Sequence, residues 1–143
     1  VLLDFGAAMA VSDHTAGAYR RVAQAGLSED LPALRLALVE AGFLSPVLLQ
    51  RHGPAIDEMI GVLLRHLGRP GLFDFADRAF VEQVRRQAEP IAADRAAWHA
   101  PPAETLFVQR KVSGMALLAM RLGARLPLRD MVAQRVAACP GPD

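Results

Sequence analysis

The residues best suited to chemistry stand together near the start of the chain, where Asp4-Phe5-Gly6 directly follows the apolar run Val1-Leu2-Leu3. A buried strand ending in a carboxylate can hold a Mg²⁺ ion that bridges phosphate oxygens, the task of a strand-end aspartate in phosphoryl transfer. The aromatic ring packs behind the carboxylate and fixes its direction, and the glycine lets the chain turn away sharply. On this reading Asp4 is the candidate metal ligand, and Asp4 with Gly6 is the candidate nucleotide-binding pair. The plainer reading is a surface turn after a strand, with Asp4 as the turn former. Phe73-Asp74-Phe75 looks similar but follows Pro70-Gly71 and precedes a helical pattern. Asp74 or Asp77 is therefore read as a helix N-cap.

Other reactive side chains are scattered. His14, His52, His66 and His99 show neither an H-x-x-x-H nor a C-x-x-C companion, so each is read as a surface or helix-end residue. His14 comes ten residues after Asp4, a proximity in sequence only. Cys139 is the single cysteine and allows no disulfide within the chain, which fits a reducing compartment. Its plain reading is a small apolar residue at the end of the last helix. Arg110 and Lys111 interrupt an apolar helix. They are read as reaching the surface or pairing with Glu104 or Asp130, the functional alternative being a lipid head group or another lobe.

Composition excludes several classes. With 16 Lys plus Arg against 15 Asp plus Glu, the chain lacks the net basic surface that phosphate neutralisation requires, so no nucleic-acid partner is expected. Aromatic residues at 6% provide no stacking platform for bases. An apolar fraction of 52% over 143 residues is enough for one core. The longest apolar run, Met115 to Met120, is far short of the ~18 residues of a spanning helix.

The elements that must position these residues are helical. A first helix is expected over about 13–25, stopped by Gly26. Ser28 is read as the N-cap of a second, which carries Leu31, Leu34 and Leu38, holds Pro32 in its first turn and ends at Gly42. Ser45-Pro46 opens a short helix that Gly53-Pro54 should break. Ile56, Met59, Ile60, Leu63, Leu64 and Leu67 then form one apolar stripe, ended by Gly68. Residues 72–75 read as a loop. A fourth helix is expected over about 76–89, with Phe80, Val81, Val84 and Ala88 inward and Pro90 kinking or ending it. A further turn would reach Trp98. Pro101-Pro102 precedes a fifth helix over about 103–122, in which Gly114 should permit close packing. A last helix covers 128–138. Apart from Val1-Leu2-Leu3 no strand pattern is convincing. The expected class is mainly α, with one short N-terminal strand.

Pro101-Pro102-Ala103-Glu104, then Arg110-Lys111-Val112-Ser113-Gly114 and the apolar run from Met115 resemble the last long helix of the UbiB/AarF family, atypical kinase-like proteins of coenzyme Q biosynthesis. Asp4-Phe5-Gly6-Ala7 resembles that family's Mg²⁺ motif, and Ala41-Gly42-Phe43-Leu44 and Phe73-Asp74-Phe75 are similar to its middle part. The resemblance covers nearly the whole chain and is closer to the coenzyme-Q type, because no membrane-spanning pair precedes Asp143. It implies that residues 1–143 form the C-terminal part of a kinase-like lobe. In the intact parent, ATP and Mg²⁺ would be the cofactors, with Asp4 as metal ligand.

The same resemblance implies a parent that supports ubiquinone biosynthesis, cytoplasmic or peripheral to the inner membrane. The N-terminal lobe, membrane lipids and quinone-biosynthesis proteins would be its partners. The chain opens on Val1, inside an apolar run whose strand partners are not visible downstream, so upstream sequence is expected. The nucleotide-covering loop, the phosphate-binding Lys and the catalytic-loop base are all absent from these residues. The chain alone is therefore expected to be inactive, and to self-associate through orphaned apolar faces. Two other readings fit: a stand-alone helical interaction or ligand-binding module, and a piece of an aminoglycoside-phosphotransferase-like kinase.

Overall fold

The computed structural model describes residues 8–77, 79–97 and 100–138, with backbone only at 80, 81 and 97. The expected strand over residues 1–3, with Asp4 and Gly6, lies outside the described residues, as do Trp98, His99 and Cys139. Mainly helical architecture is what the described chain adopts, with one small two-stranded sheet.

Helix α1 (Asp13–Leu27) begins where the sequence indicates. The Ser12 side chain accepts from the Thr15 N–H, and Asp13 lies in the first turn, where the helix dipole favours an acid. Gly26 does not stop it. Its backbone stays helical, and the space beside it opens toward Leu64. The stop comes two residues later, and it corrects the reading of Ser28. The Ser28 N–H and hydroxyl both donate back to the Gln24 carbonyl at 3.0 Å, so Ser28 closes α1 rather than opening the next helix. Glu29 takes the left-handed conformation, φ 56°. Asp30 then accepts from the Ala33 N–H at 3.0 Å and caps α2 (Leu31–Glu40). Pro32 sits in the first turn of α2 and Gly42, at φ 76°, follows its end, both as expected.

Ser45 caps α3 (Pro46–Leu67) through the Leu48 N–H at 3.1 Å. Gly53-Pro54 kinks this helix instead of breaking it. Pro54 has no N–H to donate and its ring crowds the preceding turn, and the backbone leaves helical geometry at His52, at φ −128° and ψ 19°. Beyond the kink, Ile56 and Ile60 join Ala25 and Leu34 in the core, and Ile56 is wholly buried. Leu64 packs against that cluster, while Leu67 at the far end of the stripe is exposed. Val62, on the opposite flank of α3, is also buried. The apolar stripe thus explains one side of α3 only, since α4 covers another.

Two short strands, β1 (Phe73–Asp74) and β2 (Arg125–Leu126), pair antiparallel where a loop was expected. Two residues are too few to show an alternating pattern, so the pairing leaves no periodic trace in the sequence. Asp74 is consequently not a helix cap. It accepts from the Ala76 N–H at 2.8 Å and from Arg125 Nε across the sheet at 2.9 Å. Asp77 plays the capping part, accepting from the Ala79 N–H at 3.0 Å where α4 (Ala79–Ala93) begins. Helix α4 starts three residues later than expected and runs past Pro90. A 3₁₀ turn (Arg95–Ala97), α5 (Ala103–Arg121) and α6 (Leu128–Ala138) complete the chain, and α6 packs on α1.

Candidate functional site

Ser12 follows Gly6 closely in the sequence. It is where the described structure takes hold of the chain leaving the Asp-Phe-Gly motif. Its hydroxyl donates to Glu104 Oε2 at 2.8 Å and its N–H reaches the same oxygen at 3.3 Å, a contact across 92 residues. The Thr15 and Ser12 hydroxyls and the Ser12 N–H hold the Glu104 carboxyl below the ordinary glutamate range, with a smaller contribution from the charge of His14. Glu104 therefore stays ionised and serves as an acceptor at the start of α1.

The next residue fastens α5 to the end of α2. Thr105 is buried and donates its hydroxyl to the Ala41 carbonyl at 2.8 Å. Gly42 must be glycine twice over. Its φ is positive, and a Cβ there would fall 2.7 Å from Pro102 Cδ. Tyr19 completes the node. Its hydroxyl meets the Thr105 carbonyl at 3.4 Å and its ring stands edge-on to Phe43 at 5.3 Å. Burial raises the Tyr19 phenol above its usual value. Residues 41–43 and 101–105, far apart in sequence, are thus parts of one junction with the start of α1. The junction positions backbone. It brings together no set of groups that could by itself transfer a proton or hold a metal, and among the described residues no cluster of three or more His, Cys, Asp or Glu side chains is suited to a metal ion.

Arg110 and Lys111 both reach solvent. Neither forms the expected pair with Glu104, whose carboxylate is occupied by Ser12, and Lys111 Nζ lies 5.5 Å from the Phe107 ring centroid. Gly114 has open space around it, not a closely packed helix. The run from Met115 is not buried on several sides within this chain: Met115 is 66% and Leu122 73% exposed.

Sequence reasoning missed a second polar cluster. Asp94, just after α4, accepts from Arg51 Nε at 2.7 Å and lies 2.8 Å from His52 Nε2. The Arg51 and His52 hydrogen bonds lower the Asp94 carboxyl to about 2. His52 is therefore a partnered side chain at the α3 kink, not a helix-end residue. The partners are 42 residues apart, and no local pattern announces them. His66 Nδ1 meets the Val62 carbonyl within its own helix at 2.9 Å, and His14 is exposed in the first turn of α1.

No helix among the described residues is long and apolar enough to cross a membrane. No family model matches the chain. Over 134 residues, 91% of its length, it is 27% identical to "Atypical kinase COQ8, mitochondrial" of Schizosaccharomyces pombe (strain 972 / ATCC 24843). It spans about a fifth of that protein, 21%. The chain is weakly homologous, along nearly all of its own length, to a protein described as an atypical kinase.

Proposed function

We propose that this chain is the C-terminal part of a UbiB/AarF-type kinase-like ATPase that supports ubiquinone biosynthesis, with Asp4 as its Mg²⁺ ligand. The observation that carries the reading is the similarity to the Schizosaccharomyces pombe atypical kinase over 91% of the chain. It also disfavours the stand-alone helical module and the aminoglycoside-phosphotransferase-like reading. The Asp4 carboxylate is a hard oxygen donor of the kind Mg²⁺ takes, together with phosphate oxygens and water. When bound, the ion would neutralise charge on the nucleotide phosphates. Gly6 would let the backbone leave the site without a Cβ in the way. The Ser12–Glu104 contact is a positioning element, since it anchors the segment that follows the motif. The N-terminal lobe of the full-length protein would supply the nucleotide-covering parts. Membrane lipids and quinone-biosynthesis proteins would be its partners, with the protein cytoplasmic or peripheral to the inner membrane.

Asp4→Asn in the full-length protein tests the reading. Asparagine keeps the shape and loses the charge, so nucleotide-dependent turnover should disappear while the circular dichroism spectrum is retained. Wild-type ATPase rates in that variant would remove Asp4 from the site.

A further inference from the structure

Helices α1, α2, α3 and α6 line a half-open cavity of about 300 Å³. Its walls are aliphatic, formed by such residues as Ala23, Leu64, Leu128 and Val132, and the buried Leu34 and Ile60 also line it. Arg129 is the charged side chain in that lining. A second hollow continues along the α1–α6 seam, shares Ala23, Leu128 and Val132 with the first, and carries Arg20 and Arg135. The salt-bridged arginines, Arg21, Arg35, Arg51 and Arg125, all lie elsewhere. Arg20, Arg129 and Arg135 form no ion pair among the described residues.

Protein interiors hold few voids larger than a water molecule. An apolar void of roughly 150 Å³ already stays dry and takes up small hydrocarbon guests. The half-open cavity here is about twice that size, is reached from solvent and stands at the lower end of the ligand-pocket range. An aliphatic wall offers nothing to orient a polar guest, so the part inside must be apolar, and an alkyl chain is the simplest such group. Three guanidinium groups without carboxylate partners among the described residues, on two hollows that share Ala23, Leu128 and Val132, favour an anionic head group. At roughly 30 Å³ for each small group, the cavity has room for a chain of about ten carbons.

We propose that the trough between α1, α3 and α6 binds a single-chain anionic amphiphile of medium length, its chain in the cavity and its head group against Arg20, Arg129 and Arg135. The assignment does not rest on the nucleotide reading and does not involve Asp4.

Calorimetric titration of the full-length protein tests it, using decanoate, decanol, decylammonium and acetate below their micellar concentrations. Decanoate should bind saturably at one site, decanol about tenfold more weakly or worse, and the other two not at all. Ala23→Phe, which fills the space shared by both hollows, should abolish decanoate binding. Replacing Arg20, Arg129 and Arg135 together by Gln should weaken decanoate about tenfold and leave decanol unchanged. Should Ala23→Phe fail to fold by circular dichroism, the arginine series decides, because those side chains carry no ion pair among the described residues. Equal affinity for decanoate and decylammonium, or unaltered decanoate binding in the arginine variant, would overturn the proposal. Binding to anionic vesicles without saturable uptake of monomeric decanoate would also overturn it, and would make this face a membrane-docking surface.

Discussion

Helices α3 and α5 are the two longest in the chain, at 22 and 19 residues, and both are rich in aliphatic side chains. The fold uses them in opposite ways. Helix α3 buries Ile56, Ile60 and Val62, and the core is built along it. Helix α5 buries only Thr105, a polar residue in its first turn, and leaves Leu106, Val112, Met115, Leu117 and Leu118 exposed. The cause is distribution rather than amount. The apolar positions of α3 recur every three or four residues and make a continuous stripe against α1 and α2. Those of α5 are spread around the helix among Arg110, Lys111 and Arg121, so no single face can dock. Its attachment is polar and local, through Thr105 to Ala41 and Glu104 to Ser12. An apolar run states that burial is favourable, but not which surface provides it.

Breaking the α3 side should give the largest effect. Ile56→Ala leaves a void at a wholly buried position and should cost about 2–5 kcal/mol in urea unfolding. Met115→Ala on α5 should stay within about 0.5 kcal/mol. Comparable losses for the two would erase the distinction drawn between the helices. A charged pair, Met115→Glu with Leu118→Glu, should instead lower self-association in sedimentation experiments while the unfolding midpoint holds.

The polar attachment of α5 is the next target. Thr105→Val keeps the shape and orphans the Ala41 carbonyl, for an expected loss of about 1–3 kcal/mol. Gly42→Ala should cost more than about 1 kcal/mol, because it adds a clash with Pro102 to an unfavourable φ. If both variants unfold like the wild type, the junction is not what holds α5.

A smaller and pH-dependent effect belongs to the α3–α4 side. The folded Asp94 carboxyl titrates at about 2, below the ordinary aspartate value of about 4. The folded state therefore holds that proton less tightly than the unfolded chain, and acid favours unfolding. The contribution is complete above about pH 4 and is lost as pH falls to about 2. Denaturant midpoints measured across that window should fall less steeply in Asp94→Asn than in the wild type. An identical slope would remove the Arg51–Asp94–His52 cluster from the acid response. The smallest effect is expected for Asp74→Asn. That pair with Arg125 is exposed, and the substitution keeps an oxygen for the Ala76 N–H. Its thermal midpoint should coincide with that of the wild type.

Much of the helical framework is legible in the order of residues alone. Ser45 before Pro46, Pro32 in a first turn and Gly42 after a last one all mark ends that the fold adopts. Each is a contact within three or four residues, so the chain carries the donor and the acceptor side by side. Where two local solutions compete, the sequence does not choose. Ser28 and Asp30 are both good caps, and the left-handed Glu29 between them decides that one closes α1 and the other opens α2. The same holds for Gly53-Pro54, where packing of Ile56 and Ile60 outweighs a local tendency to break, so the helix bends.

Only tertiary structure could pair β1 with β2 or occupy Glu104 with Ser12, contacts that span 51 and 92 residues. Asp74 and Glu104 look locally like a cap and a helix-pair acid, and each is claimed by a distant donor instead. The physical reason is that a carboxylate has few acceptor directions, and the fold determines which donors reach them first. The Asp-Phe-Gly reading differs in kind. It rests on the order of residues along the backbone, which sets the chemistry Asp4 can perform. Where that carboxylate would stand depends on long-range packing, as it does for Asp74 and Glu104. A segment of a few residues has many backbone directions open to it, and only contacts from elsewhere in a fold can select one.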